Sequence, residues 1–471
     1  MTALDAPRET KANDELTRIL DRVEKSLSED LIPVEIFNSQ TVFDAEVERI
    51  FTKCWVFVAH ETEIPKTGDY VVRKIGLDPV IVSRDADGQV HVMSNYCRHR
   101  GTQVCQSDSG NTRFFRCPYH GWTYKNNGDW AGAPHLAEAY GERLDAREWG
   151  LLRAPKVATR HGFLFATLDP DAPSLEDYLG DGAWMFDLVV GLHPDGMKVI
   201  GPPDRYRVKG DWKTAAENFA GDVYHIDSLH WGTEEVGISQ GLQGTCFIGR
   251  SYEMGNGHNF AGHAWTTAIH PGFTHWGYPD HIKSQFDDSA LDEAQKFVVH
   301  HEPPTVGNFF PNLSFIRFAV PRSAGGVPQV VTSFRQWQPV GPGEIELWSW
   351  QLAWSFQDDA DAMNDQITGQ FVFGSGGIFE QDDTVAWEGI PKAAASPWHR
   401  KEGAVFHYAQ GHNSPIDQTP DAEWQGPGIR RSTGYGEHRQ LAFFRHWLQV
   451  MRGDAAPADR NDAAGNESQE G

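Results

Sequence analysis

Long apolar runs are missing from this chain. None of its 471 residues belongs to a stretch approaching the roughly 18 that a membrane-crossing helix needs. The amino terminus, Met1 to Arg8, has no hydrophobic signal core, so the cytoplasm is the expected compartment. Basic charge is also scarce: 41 Lys and Arg against 65 Asp and Glu give a formal charge of -24, which argues against nucleic acid or an anionic membrane as the main partner. Cysteine is sparse, at positions 54, 97, 105, 117 and 246, and an odd, widely spaced set does not make a disulfide framework. No internal repeat is visible, and nothing in the chain encodes a flavin or nicotinamide site.

What is present divides into two regions, in keeping with a chain too long for one simple core. Leu16, Ile19, Leu20, Val23 and Leu27 recur at helical spacing and predict a helix over 14–27, and a second helix is predicted to about Thr52 behind the capping residues Asn38 and Ser39. The period then shortens. Tyr70 to Ile75, Val80 to Ser83 and Val90 to Met93 read as strands, with the turn Asp85-Ala-Asp-Gly88 between the last two. More strand text follows at 113–116 and 162–168, so an antiparallel β domain is expected over 50–171, ending at Asp169-Pro-Asp-Ala-Pro-Ser174. The first 49 residues are read as helices packing on the second domain, which spans 172–452.

In that second domain a strand is expected at 205–209 and a helix from Trp212 to Trp231. Residues 232–295 have poor periodicity and read as a lid or binding loop. Strands are predicted over 313–320, 329–337 and 344–353, then a helix from Asp361 into the 380s and a last one over 441–451. Residues 453–471 carry no apolar pattern and read as a disordered tail.

Two constellations carry chemistry. Cys97-x-His99 and Cys117-x-x-His120, seventeen residues apart, present two thiolates and two imidazoles on two loops of the β domain. Two Cys on one iron and two His on the other is the Rieske form of a [2Fe–2S] cluster; the rival is a Cys2His2 zinc site. Zinc modules usually pair like ligands within each half, whereas each half here offers one of each. Arg98, Arg100, Tyr119 and Trp122 would shield such a cluster. Cys105 follows the first loop, but the second loop has Tyr119 and no extra cysteine, so no loop-bracing disulfide is expected.

The second constellation is Asn218-Phe-Ala-Gly-Asp222-Val-Tyr-His225-Ile-Asp-Ser-Leu-His230. On a helix, Asn218, Asp222 and His225 would share one face. His225 and His230 are five apart, which turns the second ring by roughly 140°, so the helix must bulge or end near Asp227-Ser-Leu229 for both to reach one metal. Two imidazoles and a carboxylate form the facial triad of non-haem Fe(II) oxygenases. The third ligand is sought in Phe379-Glu-Gln-Asp382-Asp383.

With both loops, the Asn-Phe-x-Gly-Asp-x-Tyr-His segment and Gly-Gly-x-Phe-Glu-Gln-Asp-Asp in this order, the chain resembles the large (α) subunit of aromatic ring-hydroxylating Rieske dioxygenases, near the naphthalene and biphenyl type, from about residue 35 to the final helix. The resemblance implies an α+β fold: an antiparallel β Rieske [2Fe–2S] domain, plus a catalytic domain whose antiparallel sheet is covered by helices in the helix-grip manner. It implies a cluster on Cys97, His99, Cys117 and His120, and a mononuclear Fe(II) on His225, His230 and Asp383, the second acid of the pair. Asp222 would then link His225 to a cluster histidine, His120, of an adjacent subunit. Residues matching the family's substrate pocket are Asn218, Phe219, Val223, Ile226, Ile316, Phe373 and Phe379.

The implied reaction adds both atoms of O2 to an arene (polycyclic, biphenyl-like or a phthalate-like acid) to give a cis-dihydrodiol in aromatic catabolism. The alternatives are a Rieske monooxygenase or demethylase and a non-catalytic Rieske electron carrier. The implied partners are a small β subunit in an α3β3 hexamer, a ferredoxin and an NAD(P)H-dependent reductase. Arg317, between Ile316 and Phe318, could anchor a substrate carboxylate, but strand alternation puts it on the face opposite Ile316, so a surface or interface arginine is the expectation. His258, His263, His270, His275, His300 and His301 lack a coherent ligand pattern and are read as lid or polar-network residues.

Overall fold

A computed structural model of the chain describes residues 6–141, 143–239, 249–263, 274–412, 414 and 420–453. The predicted tail over 453–471, from residue 454 on, and the parts of the predicted lid at 240–248 and 264–273, lie outside the described residues. Among the described residues, no helix is long and apolar enough to cross a membrane.

The chain opens with helix Ala6–Leu27, which buries Leu16, Ile19, Leu20, Val23 and Leu27 against the final helix, His438–Arg452. Ser39 caps the next helix, Gln40–Glu46, its hydroxyl accepting from Val42 N at 3.3 Å, and a π turn carries it to Phe51. Three small antiparallel sheets follow. One has four strands in the order Val90–Ser94, Asp78–Arg84, Asp69–Ile75 and Ser109–Asn111; another has Phe114–Arg116, Thr123–Lys125 and Trp130–Gly132. The third pairs Lys156–Arg160 and Phe163–Thr167 with Val56–His60, a strand missing from the sequence reading. Its residues are buried on both faces, so the alternation that marks a half-exposed strand is absent.

The second region is built on a nine-stranded antiparallel sheet. Its order runs Met197–Val199, Glu344–Trp354, Gln329–Gly341, Leu313–Val320, Pro304–Phe309, Asn259–His263, Gly249–Glu253 and Ile429–Arg431, and Asp204–Val208 also pairs with Glu344–Trp354. Helices Trp212–Phe219 and Asp359–Phe373 pack on it, so the architecture is α+β, with an antiparallel sheet covered by helices.

Three expectations need correction. Residues 232–295 are not only loop, since two strands of the large sheet and helix Glu293–His301 start there; the strands are short and rich in Gly, Asn and His, which weakens any periodic signal. The helix predicted from Asp361 into the 380s is two helices, Asp359–Phe373 and Glu380–Ala395, parted by Gly374-Ser-Gly-Gly. A Cβ on Gly377 would lie 2.4 Å from the Val372 carbonyl oxygen, so the return of the chain over the first helix requires glycine there. The helix expected over 212–231 ends at Phe219.

Candidate functional site

The two Cys/His loops are copies of one turn. In the first, Cys97 N donates to Thr102 O at 2.9 Å and Gly101 N to Cys97 O at 2.8 Å; in the second, Cys117 N donates to Trp122 O at 2.8 Å and Gly121 N to Cys117 O at 3.1 Å. Gly101 and Gly121 close the turns at φ +73° and +70°, where a side chain is strained. The loops face each other, with the His99 and His120 rings 4.6 Å apart. His99 stacks on Trp122 at 5.1 Å and 5°, and Tyr119 lies 3.7 Å from the His120 ring. Tyr124 Oη stands 3.2 Å from Cys97 Sγ.

These donors fit a two-iron cluster better than one ion. Nδ1 of both His99 and His120 is buried without a hydrogen-bond partner, as an atom reserved for a metal would be. Among the described residues, no three of the four loop donors fall within 4.8 Å of one another, the closeness a single zinc ion imposes. Cys105 is a free, buried cysteine, as the absence of a partner in the second loop led us to expect.

The second site forms where helix Trp212–Phe219 breaks. Gly221 has φ +129°, and a Cβ there would stand 2.5 Å from Arg439 Nε and 3.0 Å from Ala261 Cβ. Arg439 holds the turned backbone by donating to Gly221 O at 2.7 Å. The first helix therefore breaks at Gly221, ahead of His225, and the one-turn helix that follows ends at Leu229, the helix end expected near Asp227-Ser-Leu229. Asn218 and Asp222 meet across this turn, with Nδ2 3.5 Å from Oδ2, and not along a shared helix face. His225 and His230 then bracket the one-turn helix Ile226–Leu229, their rings 5.1 Å apart.

Asp383 arrives on the first turn of helix Glu380–Ala395 and completes the triangle. Its Oδ1 lies 3.5 Å from His225 Nε2 and 3.4 Å from His230 Nε2, and all three donors sit within 4.8 Å of one another. Two donors on one face of a metal with bonds of about 2.1 Å are roughly 3.0–3.4 Å apart, so an ion fits between them after a small contraction. Asp383 Oδ1 is buried with no hydrogen-bond donor, which suits a cation.

Each imidazole has a carboxylate behind it. Asp222 Oδ2 stands 3.4 Å from His225 Nδ1, and Asp382 Oδ2 stands 3.3 Å from His230 Nδ1. Sequence reasoning left Asp382 as a mere neighbour of Asp383; on a helix end, adjacent acids point to different sides, which is the signal that could have assigned it. Burial lowers the His225 pKa, but Asp222 first and Asp383 next outweigh it and bring the metal-free ring up to about 9. Desolvation raises the Asp222 pKa, yet the facing His225 holds it below the usual carboxylate range. Glu217, buried beside Asp222, is pushed well up by burial and then by that like charge, and accepts from Tyr408 Oη at 3.0 Å.

A cavity of about 810 Å³ opens from the triad. Asn218, Phe219, Val223, Ile226, Ile316, Phe373 and Phe379 all line it, so the structure brings the seven sequence-selected residues together. Phe318 also lines it, packed on Phe373 and Phe379 at 5.8 and 5.9 Å; being two residues beyond Ile316 on one strand, it was legible from alternation alone. Ile238, Trp276 and Thr305 are further wall residues without any sequence signal.

Arg317 is neither a wall residue nor a surface one. Its side chain is fully buried on the opposite face of the strand, donating to Thr332 Oγ1 at 2.8 Å and Val189 O at 2.7 Å, with its guanidinium over the rings of Trp276 and Trp354 at 4.6 and 5.3 Å. Alternation predicted the correct face, but that face is covered by a second apolar core. The polar-network reading fits His258, which bonds Tyr178 O and Phe310 N; His270 lies outside the described residues.

The comparisons agree with this geometry. Residues 54–151 match the Rieske [2Fe-2S] domain family, and residues 199–453 match the catalytic domain of ring-hydroxylating alpha subunits. The chain is 48% identical to the alpha subunit of N,N-dimethyl phenylurea N-demethylase from Sphingobium sp. (strain YBL2), over 93% of this chain and 95% of that one. It is 32% identical to the alpha subunit of chlorobenzene dioxygenase from Cupriavidus sp. (strain PS12), over 88% and 90% of the two. Naphthalene 1,2-dioxygenase from Rhodococcus sp., solved with indole bound, superposes with a TM-score of 0.86 at 35% identity, covering 94% of this chain and 99% of that one. The chain belongs to the alpha subunits of ring-hydroxylating oxygenases, Rieske non-haem iron enzymes that carry a [2Fe–2S] cluster and a mononuclear iron.

Proposed function

We propose that this alpha subunit oxidatively removes an N-methyl group from a neutral N-alkylated aromatic compound of the aryl-urea class. The observation that carries the reading is the 48% identity, across nearly the full length of both chains, to an alpha subunit named for that reaction, against 32% for the chlorobenzene enzyme. The cavity supports it: Phe318, Phe373 and Phe379 suit a flat ring, while Asn218, Ser239, Thr305 and Gln329 add neutral polar groups for a urea. No Lys or Arg is among the described residues of that wall, and the buried Arg317 faces away, which disfavours an aromatic acid.

In this reading Cys97 and Cys117 hold one iron of the cluster and His99 and His120 the other, while His225, His230 and Asp383 hold the mononuclear iron. That iron supplies dioxygen activation, with electrons relayed through the cluster. His225, His230 and Asp383 line the cavity, so an iron held by them would be accessible from it. Asp222 and Asp382 orient the two imidazoles and raise their basicity. Asp222 has a third of its side chain exposed, and its outer edge is the proposed contact to His120 of the partner subunit, whose neighbour Tyr119 is itself exposed. Phe219 and the aromatic wall exclude water and hold the substrate's methyl carbon toward the triad. One oxygen atom is inserted into a methyl C–H bond and the other leaves as water, consuming two electrons and two protons; the N–CH2OH product then breaks at its C–N bond into formaldehyde and the N–H compound.

We further propose the division into helices over 1–49, a Rieske domain over 50–171 and a catalytic domain over 172–452. A small beta subunit, a ferredoxin and an NAD(P)H-dependent reductase complete the system in this reading. The second reading is cis-dihydroxylation of an arene, favoured by the TM-score of 0.86 to naphthalene 1,2-dioxygenase. Reconstitution with electron partners and isotopically labelled O2 separates the two. Stoichiometric formaldehyde from N,N-dimethyl phenylurea supports demethylation; a cis-dihydrodiol carrying two labelled atoms, with no formaldehyde, would replace it with the second reading. Alone with NADH, the subunit should be inactive.

A further inference from the structure

Three segments outside the iron sites converge on one carboxylate. His275 sits in the turn His275–Gly277, Asp288 opens the turn Asp288–Ala290, and His300 lies in the last turn of helix Glu293–His301. His275 Nε2 is 3.4 Å from Asp288 Oδ1, and His300 Nε2 is 2.8 Å from Asp288 Oδ2. Donor atoms of all three lie within 4.8 Å of one another, and among the described residues the other set of three that does so is the triad of His225, His230 and Asp383.

The two sets match in composition, two imidazoles and one carboxylate, and each has a histidine Nε2 3.4 Å from the acid; the 2.8 Å contact of His300 is a hydrogen bond, which an ion would replace by drawing the two donors slightly apart. The His275 ring is held in place from behind: Phe286 stacks on it at 5.2 Å and 19°, and its side chain is 7% exposed. His275 and Trp276 have φ of +51° and +54°, a region non-glycine residues enter only when the surroundings impose it. The nearby cations Lys283 and Lys296 have exposed partners of their own, Asp280 at 3.0 Å and Glu293 at 2.8 Å, and neither makes an ion pair with Asp288. Asp288 and His300 are 27% and 37% exposed, so a hydrated ion can reach them and keep water in its remaining positions.

We propose that His275 Nε2, Asp288 and His300 Nε2 form a second site, structural in role, for a divalent cation of the zinc class. Nitrogen and oxygen donors in this number suit zinc with water as a fourth ligand. The ion would tie the turn 275–277 to helix Glu293–His301. That turn carries Trp276 and Gly277, which line the substrate cavity, so the ion would set the position of one cavity wall. It takes no part in the chemistry at the triad.

The test uses the purified oxygenase with its cluster and mononuclear iron in place, dialysed against micromolar zinc sulfate. Zinc and iron are measured by elemental analysis, and the cluster by its visible absorbance. One equivalent of zinc per chain with iron unchanged is expected, with none in His300→Ala or Asp288→Asn and full retention in His301→Ala, the adjacent control. His300 is at a half-exposed helix end, so its variant keeps the fold, which an unchanged mononuclear iron content and circular dichroism spectrum verify. Zinc that replaces iron equivalent for equivalent, zinc bound equally by His300→Ala and Asp288→Asn, or no zinc at all would overturn the proposal.

Discussion

Replacing Asp382 with asparagine keeps the shape of the side chain and removes its charge. His230 stands between two carboxylates, with Nδ1 3.3 Å from Asp382 Oδ2 and Nε2 3.4 Å from Asp383 Oδ1. Asp383 is 5% exposed and Asp382 41%, so the inner acid suits a ligand and the outer one an orienting group. A metal-bound imidazole is neutral, so Asp382 acts on His230 through a charge-assisted hydrogen bond, which contributes about 1.5–3 kcal/mol when well formed. The exposure of Asp382 pulls its contribution toward the lower figure, and asparagine keeps a carbonyl oxygen that can accept from the Nδ1–H. We expect a loss of roughly 1.4–2.7 kcal/mol, which is a ten- to hundredfold weaker affinity for Fe(II). Titration of cluster-replete, iron-depleted protein with Fe(II) measures it, and Asp383→Asn run in parallel should not bind Fe(II) at all. Wild-type affinity in Asp382→Asn would remove its orienting role. Loss of binding in Asp382→Asn with retention in Asp383→Asn would exchange the two assignments.

Tyr124→Phe removes the hydroxyl 3.2 Å from Cys97 Sγ and should lower the cluster's reduction potential by on the order of tens of millivolts in a redox titration, leaving its iron content unchanged. Arg317→Ala should cost about 2–4 kcal/mol in chemical denaturation, through two lost hydrogen bonds and two indole contacts, while the KM for aromatic substrates stays as it was; a KM change confined to carboxylated substrates would restore the anchor role. Burial lowers the pKa of His60 and His446 to about 4 and of His258 to about 3, and the His258 Nδ1 accepts from Phe310 N at 2.9 Å. The unfolded chain protonates these rings near pH 6.5 while the native state does not, so it binds more protons and stability falls as pH drops from about 6.5 toward 4. Denaturation followed across that window should show the acid slope, and His258→Asn should reduce it; a flat profile would count against these rings being buried and neutral.

The metal cofactors were legible from sequence because ligand identity is local, whereas the reaction was not: cis-dihydroxylation was the first expectation, and the 48% identity to a demethylase subunit favours the alternative. Cys97, His99, Cys117 and His120 are metal-binding side chains at fixed short spacings, and so are His225 and His230; no folding pattern changes what a thiolate or imidazole can bind. The amphipathic first and last helices and the long strands near 313–354 were equally legible, since a period of 3.6 or 2 is written in a dozen residues. Tertiary structure decided the rest, wherever the outcome depended on what another part of the chain placed alongside. It put Asp382 behind His230, 152 residues away, and broke the helix at Gly221 because Arg439 and Ala261 leave no room for a side chain. Arg317 had its strand face determined by alternation, but burial required the Trp276 and Trp354 rings to close over it. The meeting of His275, Asp288 and His300 is of the same kind: each is unremarkable within its own segment, and only the packing of three turns brings their donor atoms within reach of one ion.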